Sequence, residues 1–336
     1  MQVQHISTAN IQNFNGFLNS KVLRKSLEFA ADNGALFAAG TGVVLSTFAR
    51  PVAILATPNA QKENKQYACA KSIASSLVNF GLMALISTPI VKAVKNISDK
   101  PQKFLKEETI KVFKDGSKNL SKSSSFKFSS QVFKLSSAFL TAFPKAFFTC
   151  ALIPPVMGIF FRKKEQQAGQ KNKNISFGAG IKPSLYQKGT EKISQGIAKI
   201  LDMKPFQKFA QKYKDTNVAQ HMFVANDILL TGLFIRQTSA NKNIEENRKK
   251  TLIYNAAIMT ALAVTGGYTV DKLLDKPTKI FIEKFKEANK NLKTLDKCVE
   301  GIKIAKPALI LGGLYYVLAP VISTMLAEIA TNKTQK

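Results

Sequence analysis

Cysteine and histidine are scarce in this 336-residue chain, and their placement removes whole classes of chemistry. Cys69, Cys150 and Cys298 lie far apart with no C-x-x-C pair, so neither a disulfide framework nor a zinc site is implied, and a reducing compartment is compatible. His5 sits in a polar tail and His221 in an apolar run, and neither belongs to an HExxH or Cys-His pattern. Gly40-Thr41-Gly42 lacks the third glycine and the preceding strand of a dinucleotide fingerprint, and no P-loop occurs. The expectation is a non-enzymatic protein with no catalytic residue, cofactor or metal.

Acidic residues are also few, 21 Asp and Glu against 49 Lys and Arg, and the net charge of +28 calls for anionic surroundings. Arginine occurs only at 24, 50, 162, 236 and 248, so the charge is carried by lysine, a hydrated point charge without a planar fork. That composition favours diffuse attraction over specific readout. With neither an RNP-type aromatic motif nor an Arg-bearing recognition helix, nucleic acid is not the expected partner. Anionic membrane lipids are, at about 1 kcal/mol per basic residue near such a surface. Self-association is the other expected contact, and a soluble helical bundle that binds nucleic acid or an acidic partner is the last alternative.

Six apolar runs are present, at 33–49, 72–91, 135–161, 216–235, 251–270 and 307–327, the third interrupted by Pro144-Lys145. A helix of 20 residues reaches about 30 Å, the thickness of a bilayer's hydrocarbon. These runs predict about four to six inserted helices. In the first, Gly34, Ala38, Gly42 and Ser46 recur every four residues as a groove for close helix packing. Basic amphipathic helices are predicted over 17–31, with Leu18, Val22, Leu27 and Ala30 towards one side, and over 197–213. A third carries the stripe Phe281, Phe285, Ala288, Leu292, Leu295, Val299 and Ile302. Ser98 or Asp99 is placed to cap a surface helix starting at Pro101, and the serine-rich 116–130 reads as a flexible connector.

Motifs recur in order. Phe48-Ala49-Arg50 is echoed by Phe234-Ile235-Arg236, Asp99-Lys100-Pro101 by Asp275-Lys276-Pro277, and Pro154-Pro155 by Pro320. The chain therefore reads as an all-α, duplicated helical membrane protein, with about three apolar helices plus basic amphipathic helices per half. Its parts are a polar tail (1–16), a first repeat (17–161), a linker (162–184), a second repeat (185–327) and a second tail (328–336). No cleaved leader is expected, because the first tail lacks a basic stretch followed by an apolar one.

Three spans per half would make the halves enter from opposite sides, the inverted arrangement of a transporter or pore for a small solute. Summing basic residues over alternate connectors gives no asymmetry that orients such a topology. Asp227, an acid inside an apolar run, and the matched pair Arg50 and Arg236 are the candidate transport or ligand residues. The role expected first is a scaffold or membrane-organising protein that contacts anionic lipid.

The stretch from Ala49-Arg50-Pro51-Val52 to Thr57-Pro58, with Lys62-Glu63-Asn64-Lys65 and Tyr67-Ala68-Cys69-Ala70-Lys71-Ser72, resembles an uncharacterised group of Lys-rich bacterial proteins with several apolar helical segments. The resemblance covers mainly the first half. It implies an apolar helical protein of a bacterial cytoplasmic membrane and assigns no activity or functional residue.

Overall fold

Ser20 opens the first long helix, its hydroxyl accepting from the Leu23 amide at 3.2 Å where the orphan amides of a helix start need a partner. The computed structural model describes residues 16–55, 62–151, 183–242, 244–319 and 322, all-helical with no strand among them. Twelve helices are labelled here: α1 (Lys21–Asp32), α2 (Gly34–Leu55), α3 (Lys62–Asp99), α4 (Pro101–Phe104), α5 (Glu107–Lys114), α6 (Ser124–Ala151), α7 (Pro183–Leu201), α8 (Lys204–Tyr213), α9 (Val218–Ala240), α10 (Glu246–Leu273), α11 (Asp275–Ala288) and α12 (Leu295–Leu318). Four helices are long and apolar enough to cross a membrane: α2, the Ala68–Asp99 part of α3, α9 and α12.

Close contacts fix the direction of each long helix. Gly34 abuts Ile304 and Leu135, Gly42 abuts Tyr316, and Gly312 abuts Thr41 and Leu45, so α2 and α12 run in the same sense. Gln131 and Lys134 both donate to the Ala31 carbonyl, which sets the start of α6 beside the start of α2. The Asn241 amide donates to Cys150 Sγ while Phe128 and Phe133 meet Phe209 and Phe206, so α9 also runs with α6. Two helices run the other way. On α3, Ser75 meets Thr149 and Met83 meets Ser137; on α10, Thr260 meets Thr231 and Asp271 meets Lys306.

Both halves are thus up-down-up in the same sense, which corrects the inverted arrangement predicted from strict alternation. Alternation fails because α6 ends at one end of the bundle while Ser194 of α7 hydrogen-bonds Ala93 at the other. Residues 152–182, between these helices, lie outside the described ones.

The starts of α2, α6, α9 and α12 lie at one end, which the amphipathic helices close. One cap core gathers Ile97, Phe113, Phe126 and Leu201 with their neighbours, and a second gathers Leu18, Leu27, Phe285 and Cys298. A third cluster, with Ala39, Met83, Ala138, Phe223 and Leu311, runs between the long helices. Gly301 lies against the backbone of Leu27, so α1 and α12 touch main chain to main chain. The opposite end, where α2, α6, α9 and α12 finish, is called the open end below.

Several expectations change. The serine-rich stretch is not a connector: Leu120–Lys122 forms a short 3-10 turn and α6 begins at Ser124, with Ser123, Ser125 and Ser129 buried. Its hydroxyls turn onto the preceding helical turn, as when Ser129 donates to the Ser125 carbonyl at 2.8 Å, so burial leaves them satisfied. Ser98 and Asp99 belong to the last turn of α3, and Lys100, which makes no side-chain cap, precedes α4. The helix expected at 197–213 is two, α7 and α8, broken at Asp202-Met203. The 281–302 stripe likewise bends between α11 and α12, yet Phe281, Phe285, Ala288, Leu292, Leu295 and Ile302 still meet in one cluster. Val22 is exposed rather than on the buried side of α1. The 251–270 run is helical but not among the four most apolar helices, because Tyr254, Asn255, Thr260, Tyr268 and Thr269 are uncharged without being apolar. The 216–235 run forms one unbroken helix through His221 and Asp227.

Of the sequence divisions, the linker overlaps the described residues only at Pro183-Ser184, where α7 has already begun. Apart from Gly16 the first tail lies outside them, as do the second tail, Pro154-Pro155 and Pro320.

Candidate functional site

Two widened turns face each other towards the open end. The π turns Leu45–Ala49 in α2 and Leu314–Leu318 in α12 pack together, and such turns carry one extra residue that displaces the neighbouring side chains. Arg50 follows the first directly, and Tyr315 and Tyr316 lie within the second. The Arg50 guanidinium carbon stands 5.7 Å from the Tyr315 ring centre and 5.8 Å from that of Tyr316, within cation–π range. A terminal nitrogen reaches Met259 Sδ at 3.9 Å, whereas Nε is buried with no hydrogen-bond partner. The Tyr316 hydroxyl lies 3.4 Å from Ser76 Oγ and against Gly42.

Asp227 lies half-buried on α9, with no ion pair within 4 Å among the described residues. Lys145 of α6, also half-buried, is its electrostatic counterpart, and Asp227 also acts on both tyrosines. Arg50 therefore stands directly against the tyrosine pair, whereas Asp227 acts on it only through its charge. Arg236 does not join them, because its side chain is exposed on α9. Sequence reasoning missed Lys71, Tyr315 and Tyr316. Tyr315-Tyr316 was the one trace available, two adjacent phenols inside an apolar run.

The small-residue groove of α2 lies where helices approach closely. A Cβ on Gly34 would stand 3.0 Å from Ile304 and 3.1 Å from Leu135, and one on Gly42 would stand 3.0 Å from the Tyr316 hydroxyl. Ser46 is fully buried and donates to the Val43 carbonyl, while Ala38 packs half-buried in the central cluster.

At the capped end the charges are spread and partly paired. Lys103 pairs with Glu191 and Lys297 with Asp32, each at 2.6 Å, and Lys214 bonds Asp115. The Lys214 hydrogen bond holds the Asp115 carboxyl below its ordinary range, as the Lys103 hydrogen bond does for Glu191. Basic residues concentrate here: 3 in α1, 11 between Lys92 and Lys134, 6 between Lys192 and Lys214 and 10 between Lys272 and Lys306. At the open end the basic side chains described are Arg50, Lys65, Lys71, Lys145, Arg236, Lys242, Arg248, Lys249 and Lys250. Among the described residues, basic side chains are about three times as many at the capped end as at the open end.

Among the described residues no group of three or more His, Cys, Asp or Glu is placed to hold a metal ion. No known family model, curated protein or solved structure matches the chain.

Proposed function

We propose that this is a non-enzymatic, membrane-embedded scaffold of a bacterial cytoplasmic membrane, held with its lysine-rich cap against the anionic inner leaflet. The observation that carries this reading is the gathering of lysines on amphipathic helices at one end of an apolar bundle. Basic residues are retained on the cytoplasmic side of membrane proteins, and lysines near anionic headgroups add attraction of about 1 kcal/mol each. The outward side chains of the long helices fit a lipid surround: Val44, Phe48 and Val52 on α2, Leu77 and Leu85 on α3, and Leu140, Phe143 and Phe147 on α6 are all exposed.

Within that reading the two halves are copies of one up-down-up unit related in the same sense. Reciprocal packing supports this: α2 lies on α12 of the other half, and α9 lies on α6. Asp227 is then an interior counter-charge to Lys145.

Fractionation followed by vesicle flotation tests the role. The full chain stays with the membrane after carbonate and needs detergent for release. Purified in detergent, it captures phosphatidylglycerol vesicles in preference to phosphatidylcholine vesicles, and salt weakens the preference. Recovery in the soluble fraction without detergent contradicts the reading.

A further inference from the structure

The corner between α10 and α11 lies at the capped end, where the uncharged run 251–270 gives way to Asp271-Lys272-Leu273-Leu274-Asp275-Lys276. Leu273 closes α10 roughly 5 Å beyond Val270 at the helical rise, so in a chain embedded as proposed the corner stands where hydrocarbon meets headgroups. Both acids of the corner are held from α12. Lys306 Nζ donates to the Asp271 carbonyl at 3.0 Å and meets the Asp271 and Asp275 carboxylates at 2.9 and 2.7 Å. This clamp fixes the corner against the bundle and answers its negative charge from a lysine that is itself almost enclosed.

What the corner presents outward is leucine and lysine. Leu273 is 71% exposed, Leu274 and Ile280 are exposed, and so are Lys272, Lys276 and Lys279 beside them. Phe281 and Phe285 of α11 pack into the second cap core, so the helix spends one face on protein and keeps this apolar edge off it. The similar motif Asp99-Lys100-Pro101 makes the contrast. Ile97 stands before Asp99 as Leu273 stands before Asp275, yet Ile97 is buried, and Leu105 beyond the motif is buried in the first cap core.

Exposed leucines interleaved with lysines, at the end of an apolar run, suit the boundary of an anionic leaflet. There apolar tips reach the acyl chains while ammonium groups turn back to the phosphates. Pairing of both acids with Lys306 removes the charges that would repel an anionic headgroup. We infer that the α10–α11 corner is an interfacial anchor for anionic phospholipid, with Leu273, Leu274 and Ile280 among the acyl chains and Lys272, Lys276 and Lys279 at the phosphates. The inference rests on the membrane reading proposed above and adds to it a defined point of insertion.

The chain contains no tryptophan, so one introduced at the corner reports alone. Leu273→Trp, Ile280→Trp and, at an exposed position between α5 and α6, Lys118→Trp are reconstituted as full chains in vesicles of phosphatidylcholine and phosphatidylglycerol. Lipid brominated on its acyl chains should quench both corner reporters and spare Lys118→Trp, and iodide on both faces should do the reverse. At equal fractions, brominated phosphatidylglycerol should quench Leu273→Trp more than brominated phosphatidylcholine does. Lys276→Gln and Lys279→Gln should lower that preference by up to about fivefold for each lysine removed. Equal quenching by the two lipids overturns the anionic assignment. Corner reporters reached by iodide alone, in a chain that still floats with the vesicles, overturn the inference and leave the membrane reading standing. Shielding from both quenchers also overturns it, as when a second copy covers the edge, and a chain that does not float ends both readings. A lowered thermal midpoint marks a variant that has lost its fold, and if Leu273→Trp does, Ile280→Trp decides.

Discussion

The two ends of the bundle carry the same sign of charge and treat it in opposite ways. At the capped end many lysines stand on amphipathic helices, and several meet acids, as Lys103 does Glu191, Lys297 does Asp32 and Lys306 does both Asp271 and Asp275. At the open end Arg50 is drawn between two tyrosines and Lys71 over a phenylalanine. Solvated lysines act collectively on a charged surface, whereas enclosed cations act on the groups packed beside them. Two arginines make the same point within the chain: Arg50 follows a π turn and faces inward, while Arg236 sits on regular helix and faces out.

The largest expected effect breaks the capped end alone. A Cβ on Gly301 would stand 1.9 Å from the Leu27 carbonyl oxygen, and backbone on backbone has no flexible side chain to yield. Gly301→Ala should cost about 3 kcal/mol, read as a fall in the thermal midpoint of the detergent-solubilised chain. An unchanged midpoint would mean that α1 does not pack on α12 as described.

Next in size is the arginine pair. Replacing Arg50 by Gln removes two cation–π contacts and should cost about 1–2 kcal/mol. Arg236→Gln, at an exposed position, should stay within about 0.5 kcal/mol of wild type in the same melts. Equal losses would erase the distinction between the two sites.

What the sequence made legible follows from what each signal measures. Apolar runs and the 281–302 stripe report side-chain polarity, and they correctly located helices and the residues that meet in the second cap core. Serine content misled, because a buried hydroxyl can be satisfied by its own helix, as at Ser129 and Ser137. Direction was not legible at all: alternation assumes that every run crosses and every connector stays on one side, whereas α6 ends at the open end and α7 packs at the capped end. The contact between Arg50 and the tyrosines, joining residues 265 positions apart, depends on paired π turns that leave no mark in hydropathy.

The smallest effect sharpens the capped end. Lys214 holds the Asp115 carboxyl low, so this pair contributes stability above Asp115's unfolded value and loses it as pH falls through the folded one. Asp115→Asn keeps a residue suited to the left-handed backbone there, at φ 48°, and should lower the neutral plateau slightly while leaving stability in acid unchanged, which flattens the acid limb. An unaltered acid limb would show that the pair is solvent-screened.

Native cysteines are poor reporters of topology, since Cys150 and Cys298 are buried. The decisive measurement uses single cysteines introduced into the cysteine-free full chain, at exposed Lys118 for the capped end and exposed Lys242 for the open end. Each is probed in cells with a membrane-impermeant thiol reagent before and after permeabilisation. The account predicts that Lys242→Cys reacts in intact cells and Lys118→Cys only once the membrane is breached. Reaction of Lys118→Cys in intact cells, or protection of both sites until permeabilisation, would contradict a bundle that crosses the membrane with its lysine cap inside.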